Sequence, residues 1–286
     1  MNIANENSES HASSTGHVLA TSGWLDTHYL AMQPEYEEIL RWVGIQPDWH
    51  VLDAGCGNGS YLRLMTELVG NGGRVSALDL APENVQEVEA RAGQGTWSAP
   101  VSARVGSVLD LPYDNHSLDA AWCANTSQYL TDEELRTMLG EMKRVVRPGG
   151  LIAIKDVDLT ALQFQPITPT LTIHLCEAMC HAGDQLMCQC FFRTIELSQW
   201  LRAAGLLDIR QKPTLLVRLQ PLRPVERTFV CDLLSFMSRN AQQVDLPPGE
   251  SQLWKQLADV SSPDHITNHP DFQYRRIDTV FVGRVP

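Results

Sequence analysis

The sequence predicts an α/β fold in which a mostly parallel, doubly wound sheet carries helices on both faces. Short apolar runs rich in β-branched residues alternate with amphipathic stretches from Trp49 onward, and this alternation is typical of such a sheet. A glycine-rich turn follows the first run and an acidic residue ends the second, which is the pattern of a ligand-binding sheet edge. We place this core at residues 45–156.

Five strands and three helices make up the predicted core. The strands are Val51–Ala54, Arg74–Asp79, Ala103–Val105, Ala120–Cys123 and Leu151–Ile154, and the helices are 59–70, 82–93 and 131–146. Thr131 and Glu134 have the spacing of a capping box that starts the third helix. The run Arg147-Pro148-Gly149-Gly150 is expected to end that helix and to turn the chain into the next strand.

The second half of the chain is less regular. It contains predicted helices at 170–183, 194–204 and 222–240, predicted strands at 206–210, 215–219 and 279–282, and a polar stretch at 242–269 with one short helix. We interpret the strands as extensions of the same sheet and the helices within 157–262 as a cover over its ligand edge. The sequence therefore predicts a single domain over residues 24–286.

Composition excludes several classes of protein. The 286 residues include 34 acidic and 22 basic side chains, a net charge of −12, which argues against a nucleic-acid partner because such partners require a basic surface. No run approaches the ~20 apolar residues that span a bilayer, so we expect no stable membrane insertion. Residues 1–23 are polar and predict a disordered tail. Seven cysteines without an export signal favour free thiols in the cytoplasm.

The most informative segment is Asp53-Ala54-Gly55-Cys56-Gly57-Asn58-Gly59. A buried strand ends at Asp53, the glycines permit backbone angles and close approaches that a Cβ would prevent, and the following helix presents free N–H groups to a ligand above the turn. Asp79 ends the second strand, where a carboxylate can accept hydrogen bonds from the two hydroxyls of a ribose. Together these features predict a nucleoside site.

The spacing of the glycines distinguishes between kinds of nucleoside. A dinucleotide fingerprint requires glycine at its first, third and sixth positions, and Ser60 occupies the sixth. Asp53 would also place a negative charge near a pyrophosphate, whereas the same charge suits an ammonium or sulfonium group. The pattern favours a cationic nucleoside without phosphate.

Four motifs carry a resemblance to a known family: Asp53–Gly59, Asp79, Gly106–Pro112 and Met142–Gly150. Together they resemble class I S-adenosylmethionine-dependent methyltransferases, and within that family the small-molecule enzymes of ubiquinone and menaquinone biosynthesis. The resemblance covers about Trp24 to Asp156 and is weaker beyond it. It implies a Rossmann-like sheet of seven strands with the last strand antiparallel, S-adenosyl-L-methionine as cofactor and S-adenosyl-L-homocysteine as product.

The resemblance also implies roles at the methionine end of the cofactor. The backbone of Gly55–Gly59 would wrap the methionine part, and Asp53 would lie near its amino group. Ala124 and Asn125 would lie beneath the methionine chain. Tyr29, in the N-terminal segment, matches a position that often caps the cofactor in this family.

At the other end of the cofactor, the resemblance implies that Asp79 binds the ribose hydroxyls and that Leu80 packs on the adenine face. Ser107 and Val108 would border the adenine edge, with the backbone N–H of Val108 as a donor. Many members of the family have aspartate at the Ser107 position, so the contact to the adenine amino group is open here.

Three residues are candidate general bases for methyl transfer: His28, Tyr129 and His174. Transfer to a phenol, an amine or an activated carbon requires a positioned nucleophile and in some cases a proton acceptor of suitable pKa. A structural role for each of these three side chains remains an open alternative.

One cluster has metal-ligating residue types: Cys176, Cys180, Cys188 and Cys190, with His174 and His181 nearby. Its spacing departs from the closely paired cysteines of zinc sites, and two of the cysteines lie one helical turn apart, which equally suits an apolar helix face. We therefore expect no metal.

The predicted function is methyl transfer from S-adenosylmethionine to an O, N or C atom of a small-molecule acceptor by in-line displacement. Two alternatives remain at this point: a cofactor-bound enzyme that catalyses another reaction such as cyclisation, and a non-catalytic partner subunit. Degenerate subunits usually lose the glycines or the ribose acid, and both are present here. The identity of the acceptor and the question of a homodimer are left open.

Overall fold

A computed structural model of the chain describes residues 22–95, 97–182 and 193–286. Its strands are β1 (His50–Ala54), β2 (Arg74–Asp79), β3 (Val101–Val105), β4 (Leu118–Ala124), β5 (Val146–Gln165), β6 (Leu207–Leu219) and β7 (Gln273–Arg284). These strands form one seven-stranded sheet in the order β3-β2-β1-β4-β5-β7-β6.

Strand direction in the sheet follows the prediction. Strands β3, β2, β1, β4 and β5 pair in parallel, whereas β7 is antiparallel to both β5 and β6. The expected seven-stranded sheet with an antiparallel last strand is confirmed. Because β1, β2, β4 and β5 run in the same direction, their carboxyl ends meet at one edge, where doubly wound sheets bind ligands.

Helices cover both faces of the sheet. They are α1 (Ser22–Val43), α2 (Leu62–Val69), α3 (Pro82–Gly93), α4 (Asp132–Val145), α5 (Pro169–Ala182), α6 (Leu197–Ala203), α7 (Pro224–Ala241) and α8 (Glu250–Leu257). Buried residues form one apolar core between the sheet and α1, α2, α5 and α7. A second core lies between the opposite face and α4 and α6.

The long N-terminal helix α1 is the element that the sequence analysis missed. It begins at Ser22, so the last two residues of the expected 1–23 tail are helical, while residues 1–21 lie outside the described part of the chain. Its buried residues Met32, Tyr36 and Ile39 recur at the three- and four-residue spacing of an amphipathic helix. That spacing could have predicted the helix from the sequence.

Two of the differences from the predicted elements have local reasons. Helix α2 begins at Leu62 and not at residue 59, because the chain first turns, with the N–H of Leu62 donating to the carbonyl of Gly59 at 3.0 Å. The two strands expected at 206–210 and 215–219 are one strand, β6. Pro213 lies inside β6. It is tolerated there because β6 is an edge strand, so its missing N–H does not have to donate to a strand on the outer side.

Helix α4 starts as predicted. The hydroxyl of Thr131 accepts from the N–H of Glu134 at 3.1 Å, and the Glu134 carboxylate accepts from the N–H of Thr131 at 2.8 Å. This reciprocal capping box satisfies two N–H groups that the helix leaves unpaired.

Among the described residues, no helix combines the length and the apolar character that crossing a bilayer requires.

Candidate active site

A cavity of about 1,230 Å³ opens at the carboxyl edge of the sheet. It exceeds the ~300–1,000 Å³ of most small-molecule sites, so it has room for two ligands side by side. We call the part beside Asp53, Gly55–Gly59 and Asp79 the glycine-loop end. The part beside His28 and Arg276 is called the Arg276 end.

Asp79 holds the glycine loop in place. Its Oδ2 accepts from the backbone N–H of Gly57 at 2.7 Å, and its Oδ1 accepts at 3.0 Å from both the N–H of Ala81 and the Nδ2 of Asn84. The carboxylate lines the cavity, and its Oδ2 has a lone pair left for a ligand, whereas the two bonds to Oδ1 use both lone pairs of that oxygen. Asp79 therefore connects the turn after β1 to the turn after β2.

Two glycines of the loop serve different purposes. Gly55 has φ +77°, and a Cβ there would lie 2.4 Å from Oγ1 of Thr126, so the close approach of the two turns requires glycine. Gly59 has φ +82°, and its Cβ would meet Leu62 and Val88 at 2.8 and 2.9 Å. It does not line the cavity. Gly59 therefore packs closely on these two side chains in the structure, and its contact with the cofactor stays a prediction.

Asp53 presents an unsatisfied carboxylate to the cavity. The residue is 1% exposed, it lines the cavity, and within the described residues its buried Oδ2 has no hydrogen-bond partner. Burial, with a smaller contribution from Asp79, raises the pKa of Asp53 to about 8. A cationic ligand group would supply the missing partner and restore the ionised form.

The predicted adenine-side residues also line the cavity. Leu80 is 43% exposed and offers an apolar surface, while Val108 is buried. The hydroxyl of Ser107 accepts from the N–H of Leu109 at 3.1 Å, and its O–H remains a donor. The Cys56 thiol is buried and donates to the Gly57 carbonyl, and burial raises its pKa, which makes it unreactive.

Asn125, directly after β4, joins the two ends of the cavity. It has φ +55°, its N–H donates to the carbonyl of Lys155 at 2.8 Å, and its Oδ1 accepts from Nζ of Lys155 at 2.7 Å. Ala124 and Asn125 both line the cavity. The two hydrogen bonds explain how asparagine is held in a left-handed conformation.

Helix α1 covers the glycine loop. The side chain of Leu25 lies against Gly57, where a Cβ would be 3.0 Å from its Cδ1, and Nδ2 of Asn58 donates to Asp26 at 2.7 Å. Tyr29 meets Tyr61 edge to face, with ring centroids 5.1 Å apart. The predicted Tyr29 thus lines the cavity from a helix that contacts the loop directly.

His28 also lines the cavity and is stacked on Phe229 with ring centroids 5.2 Å apart. Its Nε2 contacts Nη2 of Arg276 at 2.8 Å and the hydroxyl of Tyr36 at 2.9 Å. Burial, followed by the charges of Arg276 and Lys155, lowers the pKa of His28 well below its usual value. Because arginine only donates, Nε2 is an acceptor and the proton of the neutral ring lies on Nδ1.

A buried group of charges lies behind His28, and the sequence analysis did not identify it. Lys155 forms an ion pair with Asp278, and Nε of Arg276 lies 2.8 Å from Oδ1 of the same carboxylate. The readable signal was the alternation along β7, where Arg276 and Asp278 point to one face of the sheet.

Tyr129 and His174 are in different surroundings. Tyr129 lines the cavity, in a turn that Arg193 anchors by donating to the carbonyls of Ser127 and Leu130 at 2.8 and 2.5 Å. His174 does not line the cavity. Its Nδ1 lies 2.7 Å from Oε1 of Glu250, so the structure does not bring His174 together with the other candidate site residues.

The cysteine cluster can be described only in part. Cys188 and Cys190 lie outside the described residues. The Cys176 thiol is half-buried, and burial raises its pKa to about 11. Over residues 22–95, 97–182 and 193–286, no group of three or more histidine, cysteine, aspartate or glutamate side chains is placed to hold a metal ion.

The part of the chain that contains the glycine loop is similar to known proteins. Residues 51–150 match the model of a family described as a methyltransferase domain. An O-methyltransferase resE of Aspergillus sclerotiorum is 30% identical over 134 residues, 46% of this chain and 49% of the relative. A 2-phytyl-1,4-naphtoquinone methyltransferase of Trichormus variabilis is 31% identical over 121 residues, 42% of this chain and 52% of the relative. The matched region thus spans about half the length of each.

Solved structures extend the likeness to the whole fold. A crystal structure of a putative methyltransferase from Bacillus halodurans superimposes with a TM-score of 0.54 at 13% identity, covering 88% of this chain and 99% of that one. The strand order with its antiparallel β7, the glycine loop with its two carboxylates and the matched sequences all point in the same direction. Residues 51–150 match a methyltransferase domain, and the fold around them is similar to that of class I S-adenosylmethionine-dependent methyltransferases.

Proposed function

We propose that this protein transfers a methyl group from S-adenosyl-L-methionine to an O, N or C atom of a small molecule by in-line displacement, leaving S-adenosyl-L-homocysteine. The observation that carries the proposal is the buried, unpartnered Oδ2 of Asp53 in the wall of a cavity that Asp79 also lines. An unpaired buried acceptor costs free energy, and a cationic ligand group would relieve that cost.

The residues at the glycine-loop end fit this cofactor. Asp53 suits its amino group, and the backbone of Gly55, Cys56, Gly57 and Asn58 lines the cavity beside it. Asp79 suits the ribose hydroxyls. These assignments come from the chemistry of the side chains and from the resemblance of the loop to the family pattern.

The adenine would be bordered by apolar and backbone groups. Leu80, Ser107 and Val108 all line the cavity, and we assign Leu80 to one face of the base and the other two to its edge. Ala124, Asn125 and Tyr29 also line the cavity, and we assign them to contacts with the methionine part.

When bound, S-adenosylmethionine supplies an electrophilic methyl group on a sulfonium. The task of the protein is then to align the acceptor and to exclude water, because a dry site favours a step in which charge is neutralised. Helix α1 serves this purpose by lying over the glycine loop through Leu25 and Asp26.

The acceptor would occupy the part of the cavity beyond Asn125. Tyr129 and His28 line the cavity and are the residues that we propose to contact the acceptor. His28 has its Nε2 engaged by Arg276, so it orients the acceptor as a hydrogen-bond donor and does not remove a proton. Tyr129 is the remaining candidate for proton transfer.

Calorimetry with S-adenosylhomocysteine and product detection test the proposal together. We expect micromolar binding of S-adenosylhomocysteine by the full chain, and its formation from S-adenosylmethionine with some members of a library of phenols, acids, amines and activated carbon compounds. Mass spectrometry of the acceptor must show the gain of one methyl group in place of one hydrogen. Absence of cofactor binding, or a modified acceptor of unchanged mass, would contradict the proposal.

A further inference from the structure

The lining of the cavity combines apolar side chains with a buried cation. Trp24, Leu159, Leu233 and Phe236 line the cavity, and so does Arg276. Phe236 is 44% exposed, and with the other three side chains it gives the cavity an apolar surface. Asp232 and Arg239 stand at the rim on α7, where their opposite charges balance each other.

Arg276 is only 5% exposed, yet it lines the cavity, so what accessible surface it has faces inward. Its carboxylate partner Asp278 is shared with Lys155. Two buried cations therefore meet one carboxylate on this face of the sheet. The next residue of β5, Asp156, points to the other face, where Ser127 donates to it at 2.5 Å.

Burial of an incompletely paired cation is costly, and a ligand that brings a negative charge would reduce that cost. His28 adds a second polar contact at the same place, because its Nε2 is occupied by Arg276 and its proton is on Nδ1. The half-buried imidazole lines the cavity. An arginine and a neutral histidine N–H are a donor pair for an oxygen anion.

We propose that the methyl acceptor is an organic anion with an apolar body, and that its anionic oxygen binds to Arg276 and His28. This inference rests on the function proposed above and names the class of acceptor for the same site. A carboxylate, an acidic phenol or an enolate has the required chemistry. The apolar body would lie between α1 and α7, against Trp24 and Phe236.

Matched aromatic probes test this inference without turnover. Protein saturated with S-adenosylhomocysteine is titrated with naphthoate and with naphthamide of the same ring position, followed by calorimetry or ligand-observed NMR. The two probes have nearly the same shape and differ in charge. We expect naphthoate to bind at least ~10-fold more tightly, the effect of one charge-assisted hydrogen bond.

Two arginine variants test whether Arg276 causes the preference for naphthoate. Arg276→Gln should abolish the preference for naphthoate and leave the affinity for S-adenosylhomocysteine within about 2-fold of wild type. Arg275→Gln is the matched control: it removes the same charge from the neighbouring residue, which bonds to Gln163 and does not line the cavity. This control should retain the full preference.

Equal binding of the two probes by wild-type protein, or binding of neither at millimolar concentration, would overturn the inference. So would a preference that survives in Arg276→Gln. If Arg276→Gln does not fold, the comparison of the two probes on the wild-type protein still tests the inference. Failure of S-adenosylhomocysteine itself to bind would instead overturn the proposed function, so the two failures are distinguishable.

Discussion

The glycine-loop end and the Arg276 end of the cavity are assembled from different kinds of sequence. The first is built from turns that directly follow β1, β2 and β4, and Asp79 connects two of them by a single hydrogen bond to Gly57. The second brings together α1, α7 and β7, elements far apart in the chain, through contacts such as His28 with Phe229 and Arg276.

This difference has a consequence for how each end can vary. A turn that must bind one unchanging cofactor is constrained residue by residue, because its backbone is the binding surface. Helices laid over a sheet can change their side chains without altering the strand order. The glycine-loop end is therefore the part that the comparisons match, within residues 51–150, and most of the Arg276 end lies outside that range.

The largest effect is expected from Asp79→Ala. The variant loses the hydrogen bonds from Gly57, Ala81 and Asn84 and the proposed ribose contacts, each charge-assisted bond contributing ~1.5–3 kcal/mol. We expect calorimetry to show S-adenosylhomocysteine affinity reduced by about 100-fold or more. Asp110→Ala, an exposed aspartate on the following turn, is the matched control and should bind normally. Unchanged affinity in Asp79→Ala would remove the basis of the site.

Gly55→Ala tests whether the close approach of two turns is required. The alanine Cβ would lie 2.4 Å from Thr126 Oγ1, which is a steric clash. The left-handed backbone conformation costs a further ~1–2 kcal/mol for a residue with a side chain. We expect a loss of roughly 10-fold in S-adenosylhomocysteine affinity and a lower Tm.

Gly95→Ala is the control for backbone strain alone, since Gly95 has φ +65° and, its chain neighbours aside, no described residue lies within 4 Å of the position that a Cβ would take. It should lower the Tm by only about 2–6 °C and leave the affinity unchanged. Equal affinities in the two alanine variants would show that the loop tolerates a side chain at position 55.

Asp53→Asn should separate stability from binding. The pKa of Asp53 is about 8 in the folded ligand-free protein, against an ordinary 3.8, so between those values the folded state holds a proton that the unfolded state lacks. Stability from this group is therefore lost as the pH rises through that window. We expect Asp53→Asn to have the higher ligand-free Tm at pH 8, with the difference smaller at pH 5.

The same substitution should weaken S-adenosylhomocysteine binding by about 10-fold, the effect of one hydrogen bond between charged groups. Wild-type affinity should rise from pH 6 to pH 8 more steeply than that of Asp53→Asn, because a cationic group binds the ionised carboxylate. The titration of the ligand itself is common to both proteins. Parallel pH profiles for the two proteins would show that Asp53 does not contact the ammonium group.

The smallest effect is expected from His174→Asn. His174 contacts Glu250 at 2.7 Å away from the cavity, and such a partly exposed pair contributes ~0–1 kcal/mol. A decrease of a few degrees at most in Tm is expected, with cofactor affinity and acceptor turnover unchanged within about 2-fold. A selective loss of turnover in His174→Asn would mean that the acceptor extends to α5.

Prediction succeeded where a short stretch of chain is sufficient to define a structure. The capping box at Thr131 and the strand-turn-helix around Gly55 depend on neighbours within a few residues, so their patterns were readable. Gly59 shows the limit of such patterns, because glycine can serve a ligand contact or close packing, and only the structure shows its close approach to Leu62 and Val88.

Prediction failed where the meaning of a residue depends on distant partners. Among the three candidate bases, His28 and His174 have the same side chain, yet one faces Arg276 inside the cavity and the other faces Glu250 outside it. The pairing of Lys155 with Asp278 depends on the register of β5 against β7, a long-range relation that no local pattern contains.

Local order along the chain, namely strand alternation, glycine spacing and strand-terminal acids, was enough to establish the fold and to indicate a cationic nucleoside, because these features act over a few residues. The composition of the acceptor pocket came from the packing of α1 and α7 on the sheet. Burial and charge at Asp53 and Arg276 depend on groups remote in sequence, and those properties exist only once the chain has folded.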